Sequence, residues 1–159
     1  MEDEKKHLLD IKKHLLTGVS YMIPLVVAGG ILIALSFLVG GYLGFQTEGT
    51  PADYLMRIGG GALSFIVPIL AGFIAYSIAD RAGIAPGLVA GYVAVQVNSG
   101  FLGGIVGGLL AGYIVFFLKK IKVPNLVKPL MGILIIPLLS TLVVGLLLYL
   151  VLGNPIAAI

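Results

Sequence analysis

Side chains able to do chemistry are few in this sequence and widely spaced. Asp80 and Arg81 stand together in "IADRAGIAPG", an acid and a base between two apolar runs. Gln96 and Asn98 carry amide donors and acceptors that could serve a sugar hydroxyl but better suit a neighbouring helix. His7 and His14 lie seven residues apart and share a helix face; without a further metal-type ligand nearby they read as interfacial polar residues. No carboxylate pair, nucleophile–base set, phosphate loop or zinc spacing is present. The chain has no Cys, which excludes disulfides, thiolate nucleophiles and cysteine metal sites. The expectation is a protein with no catalytic residues, no metal and no cofactor.

What positions these residues is a set of long apolar segments. Of 159 residues, 59% are hydrophobic and 11% charged, against roughly 25% charged in a soluble domain. Residues 15–47, 58–79, 82–118 and 129–159 contain no charged side chain. Each run exceeds the roughly 20 residues that cross a ~30 Å hydrocarbon core. Because lipid satisfies no backbone polar group, only helices or closed barrels span it. The runs are solidly apolar rather than alternating, so the fold class is all-α, a polytopic transmembrane helical protein whose first partner is the lipid bilayer. The net charge of +3 is too small to suggest nucleic acid.

Residues 1–16 read as an amphipathic cytoplasmic helix, with Leu8, Ile11 and Leu15 on one stripe and lysines around it. No cleavable signal peptide is apparent, because the first 14 residues mix four lysines with four acids and the apolar run that follows is span-length. The transmembrane domain, 17–159, begins with a span at 17–42, where Pro24 and Gly29-Gly30 invite a bend and a close contact. A polar loop, "FQTEGTPADYLMR", leads to a span at 59–79 carrying Pro68. The 37 residues of 82–118 would measure about 55 Å as one straight helix, too long for a single crossing, so they fold back near "VNSG". Either 84–97 is re-entrant or it is a short true span. The positive-inside rule decides for a span, because only then do Lys119, Lys120, Lys122 and Lys128 share the side of the Lys-rich N-terminus. Five spans result, at about 17–42, 59–79, 84–97, 101–118 and 129–152, with 153–159 outside or at the outer interface.

On this topology Asp80, Arg81, Gly83, Pro86 and Gly87 form a cytoplasmic elbow. Two readings stay open: a helix-terminating loop, or an unwound stretch lining a substrate path. The most specific pattern is "GFLGGIVGGLLAGY". Gly100, Gly104, Gly108 and Gly112 recur every fourth residue, and Gly103 and Gly107 with Ala111 make the adjoining row. Such faces let helix backbones approach closely in lipid, which predicts helix packing. Ala71, Ala75 and Ala79 repeat the device in the second span, and Gly87 with Gly91 in the third.

Four stretches, "KKHLLTGVSYMIPLVVAGGILIALSF", "AGFIAYSIADRAGIAPG", "GFLGGIVGGLLAGYIV" and "KPLMGILIIPLLSTLVVGLLLYLVLG", resemble the fructose-specific membrane permease, component C of enzyme II, of the bacterial sugar phosphotransferase system. The resemblance runs from about residue 10 to 159, in the family's order. It implies a multi-pass protein of the bacterial cytoplasmic (inner) membrane that moves fructose or a related sugar inward. It further implies a homodimer, and phosphoryl transfer by partner components A and B rather than by this chain. Two departures stand out. The family usually reads Asp-Arg-Pro-Gly where this chain has Ala82, and its permeases are about twice this long. The C-terminal half with the glutamate-containing sugar motif has no counterpart here, nor does the cysteine of component B. The expectation is therefore the N-terminal scaffold and dimerisation half of such a permease, with Gln96 and Asn98 as weak sugar-site candidates. The rival is a self-contained structural or channel-like membrane oligomer without sugar specificity.

Overall fold

The structure, a computed structural model, describes residues 2–152. Its helices are α1 (Glu2–Leu9), α2 (Ile11–Gly44), α3 (Pro51–Ser64), α4 (Ile66–Ala79), α5 (Arg81–Gln96), α6 (Gly100–Leu118), a single turn α7 (Lys128–Leu130) and α8 (Ile136–Leu147). π-helical turns follow α7 and α8, at Met131–Ile135 and Leu148–Leu152. No strand occurs among the described residues. Four segments there are long and apolar enough to cross a membrane: Ile11–Gly44, Pro51–Ala79, Gly100–Leu118 and Lys128–Val151. The protein is all-α and polytopic. α5, with 16 residues and so about 24 Å of length, falls short of those four. Residues 153–159, expected at the outer interface, lie outside the described residues.

The amphipathic helix expected over 1–16 is divided. Asp10 interrupts it, its carboxylate accepting the backbone N–H of Lys13 at 3.3 Å. That is the geometry of an N-cap, so a new helix begins at Ile11 and runs on into the first apolar segment. The second apolar segment also differs from one straight span. It starts at Pro51, eight residues before the expected boundary, and breaks at Phe65 between α3 and α4. Pro68 has no N–H to give the Ser64 carbonyl, and its ring crowds that position, which accounts for the break.

The chain forms two compact units. One comprises residues 20–66, in which α2 and α3 pair antiparallel. A Cβ built at Gly29 would lie 2.7 Å from Leu63, and one at Gly59 would lie 2.8 Å from the Gly29 carbonyl oxygen. Gly30 meets nothing within 4 Å, so only the first of the two central glycines makes the contact. Ser36 donates to the Ala52 carbonyl at 2.6 Å in the buried seam. Ahead of α3, the Thr50 hydroxyl oxygen accepts the Asp53 N–H at 3.2 Å, and Pro51 occupies the first helical turn. Asp53 in turn accepts from Gly49 N–H at 3.0 Å and Arg57 Nε at 2.9 Å, which fixes the expected polar loop against the helix it starts.

The other unit comprises residues 1–19 and 67–159. Here α4 and α5 form an antiparallel hairpin about Asp80. A Cβ at Gly87 would sit 2.7 Å from Gly72 Cα, and one at Gly91 would sit 2.5 Å from Pro68 Cα. α6 lies parallel to α4. A Cβ at Gly104 would meet the Val67 side chain at 2.5 Å, one at Gly108 the Ala71 carbonyl oxygen at 2.7 Å, and one at Gly112 the Ile78 side chain at 2.7 Å. The adjoining row faces α5 and the chain's last segment: Gly107 would meet Ala90 and Leu148, both at 3.2 Å. Ala75, Ala90, Val93, Ala111, Val144 and Leu148 make one buried cluster, so α8 closes the bundle. Gly100 departs from the expected packing row. It faces open space and takes φ 57°, so it serves the turn into α6 instead of a helix contact.

Candidate functional site

The residues singled out from sequence fall at opposite ends of α5. Asp80 and Arg81 are exposed at its N-terminal end, and Gln96 and Asn98 are exposed at its C-terminal end. α5 keeps them about 24 Å apart, so they do not form one site. At the far end the turn is closed locally. Asn98 takes φ 59°, and buried Ser99 gives its hydroxyl to the Ala94 carbonyl at 2.9 Å.

At the near end the elbow is a single residue. Asp80 alone leaves helical geometry, with φ 59° and ψ −152°, and α5 resumes at Arg81. The unwound stretch considered as a substrate path is absent, because Gly83, Pro86 and Gly87 lie within the helix and are buried. Gly83 and Gly87 leave room for the α4 backbone: a Cβ at Gly83 would lie 2.5 Å from the Ala75 carbonyl oxygen. Their absent side chains allow the hairpin to close on one residue.

So sharp a stop leaves the last carbonyls of α4 without helical donors. Side chains from distant elements supply them. Lys119, one residue beyond α6, donates to the Ala79 carbonyl at 3.1 Å, and its ammonium stands 3.8 Å from Asp80. His7 on α1 donates from Nε2 to the Ile78 carbonyl at 3.2 Å. His14 is fully buried. Its Nε2 donates to the His7 carbonyl at 2.6 Å, and its Nδ1 lies 2.7 Å from Ser77 Oγ. A neutral ring protonated at Nε2 satisfies both contacts, with the serine hydroxyl as donor to Nδ1. The two imidazoles meet edge to face at 5.3 Å.

α1 is tied down twice more. Tyr113 donates its hydroxyl to the Leu8 carbonyl at 2.6 Å. Lys120 pairs with Glu4 at 2.7 Å and lies 4.7 Å over the Phe116 ring. The Lys120 hydrogen bond holds the Glu4 carboxyl below the usual carboxylate range. Glu4, His7, Asp80, Lys119 and Lys120 rim a cavity of about 390 Å³ floored by Ile78 and Phe116. A second cavity of about 560 Å³ opens beside it, among Lys119, Lys120, Lys122 and Lys128.

This constellation can hold and orient polar groups at one end of a membrane bundle; the Ser77 hydroxyl meets an imidazole there, but His14 is fully buried and its other nitrogen is taken by the His7 carbonyl. Of the two charged residues expected at the elbow, only Asp80 interrupts the helix, and the sequence gives no direct sign of His7, His14, Ser77 and Tyr113 gathering beside it. The available signal was the pair of histidines on one helix face. Nothing local indicated that their partners lay 71 and 63 residues away.

Residues 16–159 match the family model described as phosphotransferase system, EIIC. The chain belongs to that family. It is 50% identical over 137 residues to the "PTS system fructose-specific EIIABC component" of Bacillus subtilis, covering 77% of this chain and 22% of that protein. It is 37% identical over 175 residues to the "PTS system fructose-specific EIIC component" of Haloferax volcanii, covering 96% of this chain and 47% of the relative. It is 38% identical over 155 residues to the "Fructose-like permease IIC component 2" of Escherichia coli, covering 96% and 43%. The chain thus spans less than half the length of these curated relatives. No solved structure matches it.

Proposed function

We propose that this chain supplies the N-terminal scaffold half of a fructose-type sugar permease in the bacterial inner membrane. Its likeness to three relatives whose names specify fructose or fructose-like transport carries this reading. Phosphoryl transfer falls to components A and B. The Bacillus subtilis relative, named EIIABC, supports that division because its name joins all three components. The sugar-binding half comes from sequence beyond this chain's match to its relatives, and a homodimer is part of the proposal.

The same reading makes α5 a short third crossing. The salt bridge between Lys119 and Asp80 supports it: the ends of α4 and α6 share one side only if α5 and α6 run out and back. With the lysines cytoplasmic, five crossings follow. On the cysteine-free background, a single cysteine at Asn125 should react with an impermeant thiol reagent from the cytoplasmic side only. Labelling from outside intact cells would refute the topology. For function, co-expression with the C-terminal half of a fructose permease, with components A and B present, should restore fructose uptake. No uptake despite both halves reaching the membrane would defeat the proposal. Cross-linking in membranes should yield a dimer.

A further inference from the structure

We infer that the lysine-lined cavity of about 560 Å³ binds the phosphate of an anionic phospholipid headgroup. Four lysines line it, but they are not equivalent. Lys119 and Lys120 are engaged with Asp80 and Glu4. Lys122 and Lys128 have no acidic partner among the described residues. Two uncompensated cations thus share a cavity with two more whose charge is only partly offset, and the local field favours an anion.

The rest of the lining narrows the class of anion. Met131 and buried Ile136 contribute an apolar wall. The segment between α6 and α7 exposes Leu126 at 92% of its surface, and the π-helical turn that follows exposes Ile133 at 82%. Such exposure suits contact with acyl chains. A soluble phosphate would use the lysines and leave the apolar wall wet; a phosphodiester carrying acyl chains uses both. The position agrees, because the cavity lies where Gly100–Leu118 ends and Lys128–Val151 begins, at headgroup depth for two spanning segments. Basic pockets between spanning helices at a membrane face are suited to such headgroups. The inference stands apart from the identity of the sugar.

The test uses the full chain in neutral detergent, with thermal unfolding followed during titration. Phosphatidylglycerol should raise the unfolding temperature, whereas phosphatidylcholine and inorganic phosphate should not. The double substitution Lys122→Gln with Lys128→Gln should weaken phosphatidylglycerol binding about 30-fold, from the usual worth of a basic group near an anionic lipid. Lys122→Arg with Lys128→Arg should retain it. For wild type, binding should fall as salt rises. An unchanged response in the glutamine pair would overturn the assignment. So would salt-independent binding in the wild type, or loss of binding in the arginine pair. An equal shift with inorganic phosphate alone would replace the lipid with a soluble anion and overturn it likewise.

Discussion

Along the seam of α4, α5 and α6 the helices meet through backbone, with Gly91 against Pro68 and Gly108 against Ala71. At the lysine end, α4 and the end of α6 are joined to each other and to α1 by long side chains: His7, Lys119, Lys120 and Tyr113. The seam works by omission. In lipid no hydrophobic force draws helices together, so the fit of bare backbone surfaces supplies the attraction. The lysine end works by addition, since every helix stop there creates carbonyls that some remote donor has to meet. The seam should therefore be sensitive to volume and indifferent to pH, and the lysine end the reverse.

The largest effect is expected where volume enters the seam. Gly108→Leu puts a branched side chain where even a Cβ would stand 2.7 Å from a backbone oxygen, and should cost about 3 kcal/mol of stability in detergent. Gly30→Ala, in open space on α2, should shift stability by no more than about 1 kcal/mol, toward greater stability. Equal melting temperatures for the two variants would show that the seam does not form.

At the other end, His14→Ala should cost about 2 kcal/mol, because Ser77 and the His7 carbonyl lose their partner in a buried place. Proteolysis near Leu9 should increase in the same variant. Protection equal to wild type would mean that His14 does not hold α1. Lys119→Met keeps the stem but removes the cap on Ala79, and about 1 kcal/mol should be lost. The loss should persist in high salt, since it comes mainly from a hydrogen bond; a loss abolished by salt would assign it to the Asp80 ion pair instead.

Glu4 gives the smallest effect, and its sign is fixed. Because Lys120 lowers its folded pKa, the contact stabilises the protein above the ordinary carboxylate range and fades as pH falls through the lowered value. Melting profiles of wild type and Glu4→Gln should diverge near neutral pH and converge in acid. Parallel profiles would exclude the pair as a source of stability.

The same contrast explains what the sequence could convey. Charge-free runs and small residues at every fourth position are local patterns, so the spanning segments and the rows through Gly104, Gly108 and Gly112 were legible. Gly100 was misassigned by the same periodicity, since a repeat of four does not reveal which member takes φ 57°. At "DRAGIAPG" the glycines and proline suggested unwinding, yet the α4 backbone fills the space they leave and the helix stays whole. Asp10 had the chemistry of a helix start, but the apolar stripe across it argued for continuity. His7 and His14 were visible as a pair and opaque in purpose, because their acceptors and donors come from elements far along the chain.

The ties on α1 also impose an order on synthesis. Leu8 meets its donor only in Tyr113, 105 residues later, and Glu4 meets its own only in Lys120. When the ribosome has finished the first apolar segment, α1 has none of these anchors. The Ile78 carbonyl that His7 will bond emerges later, and the α6 groups later again. This helix is thus made well before its fasteners, and it can dock only once the chain has been translated through Lys120.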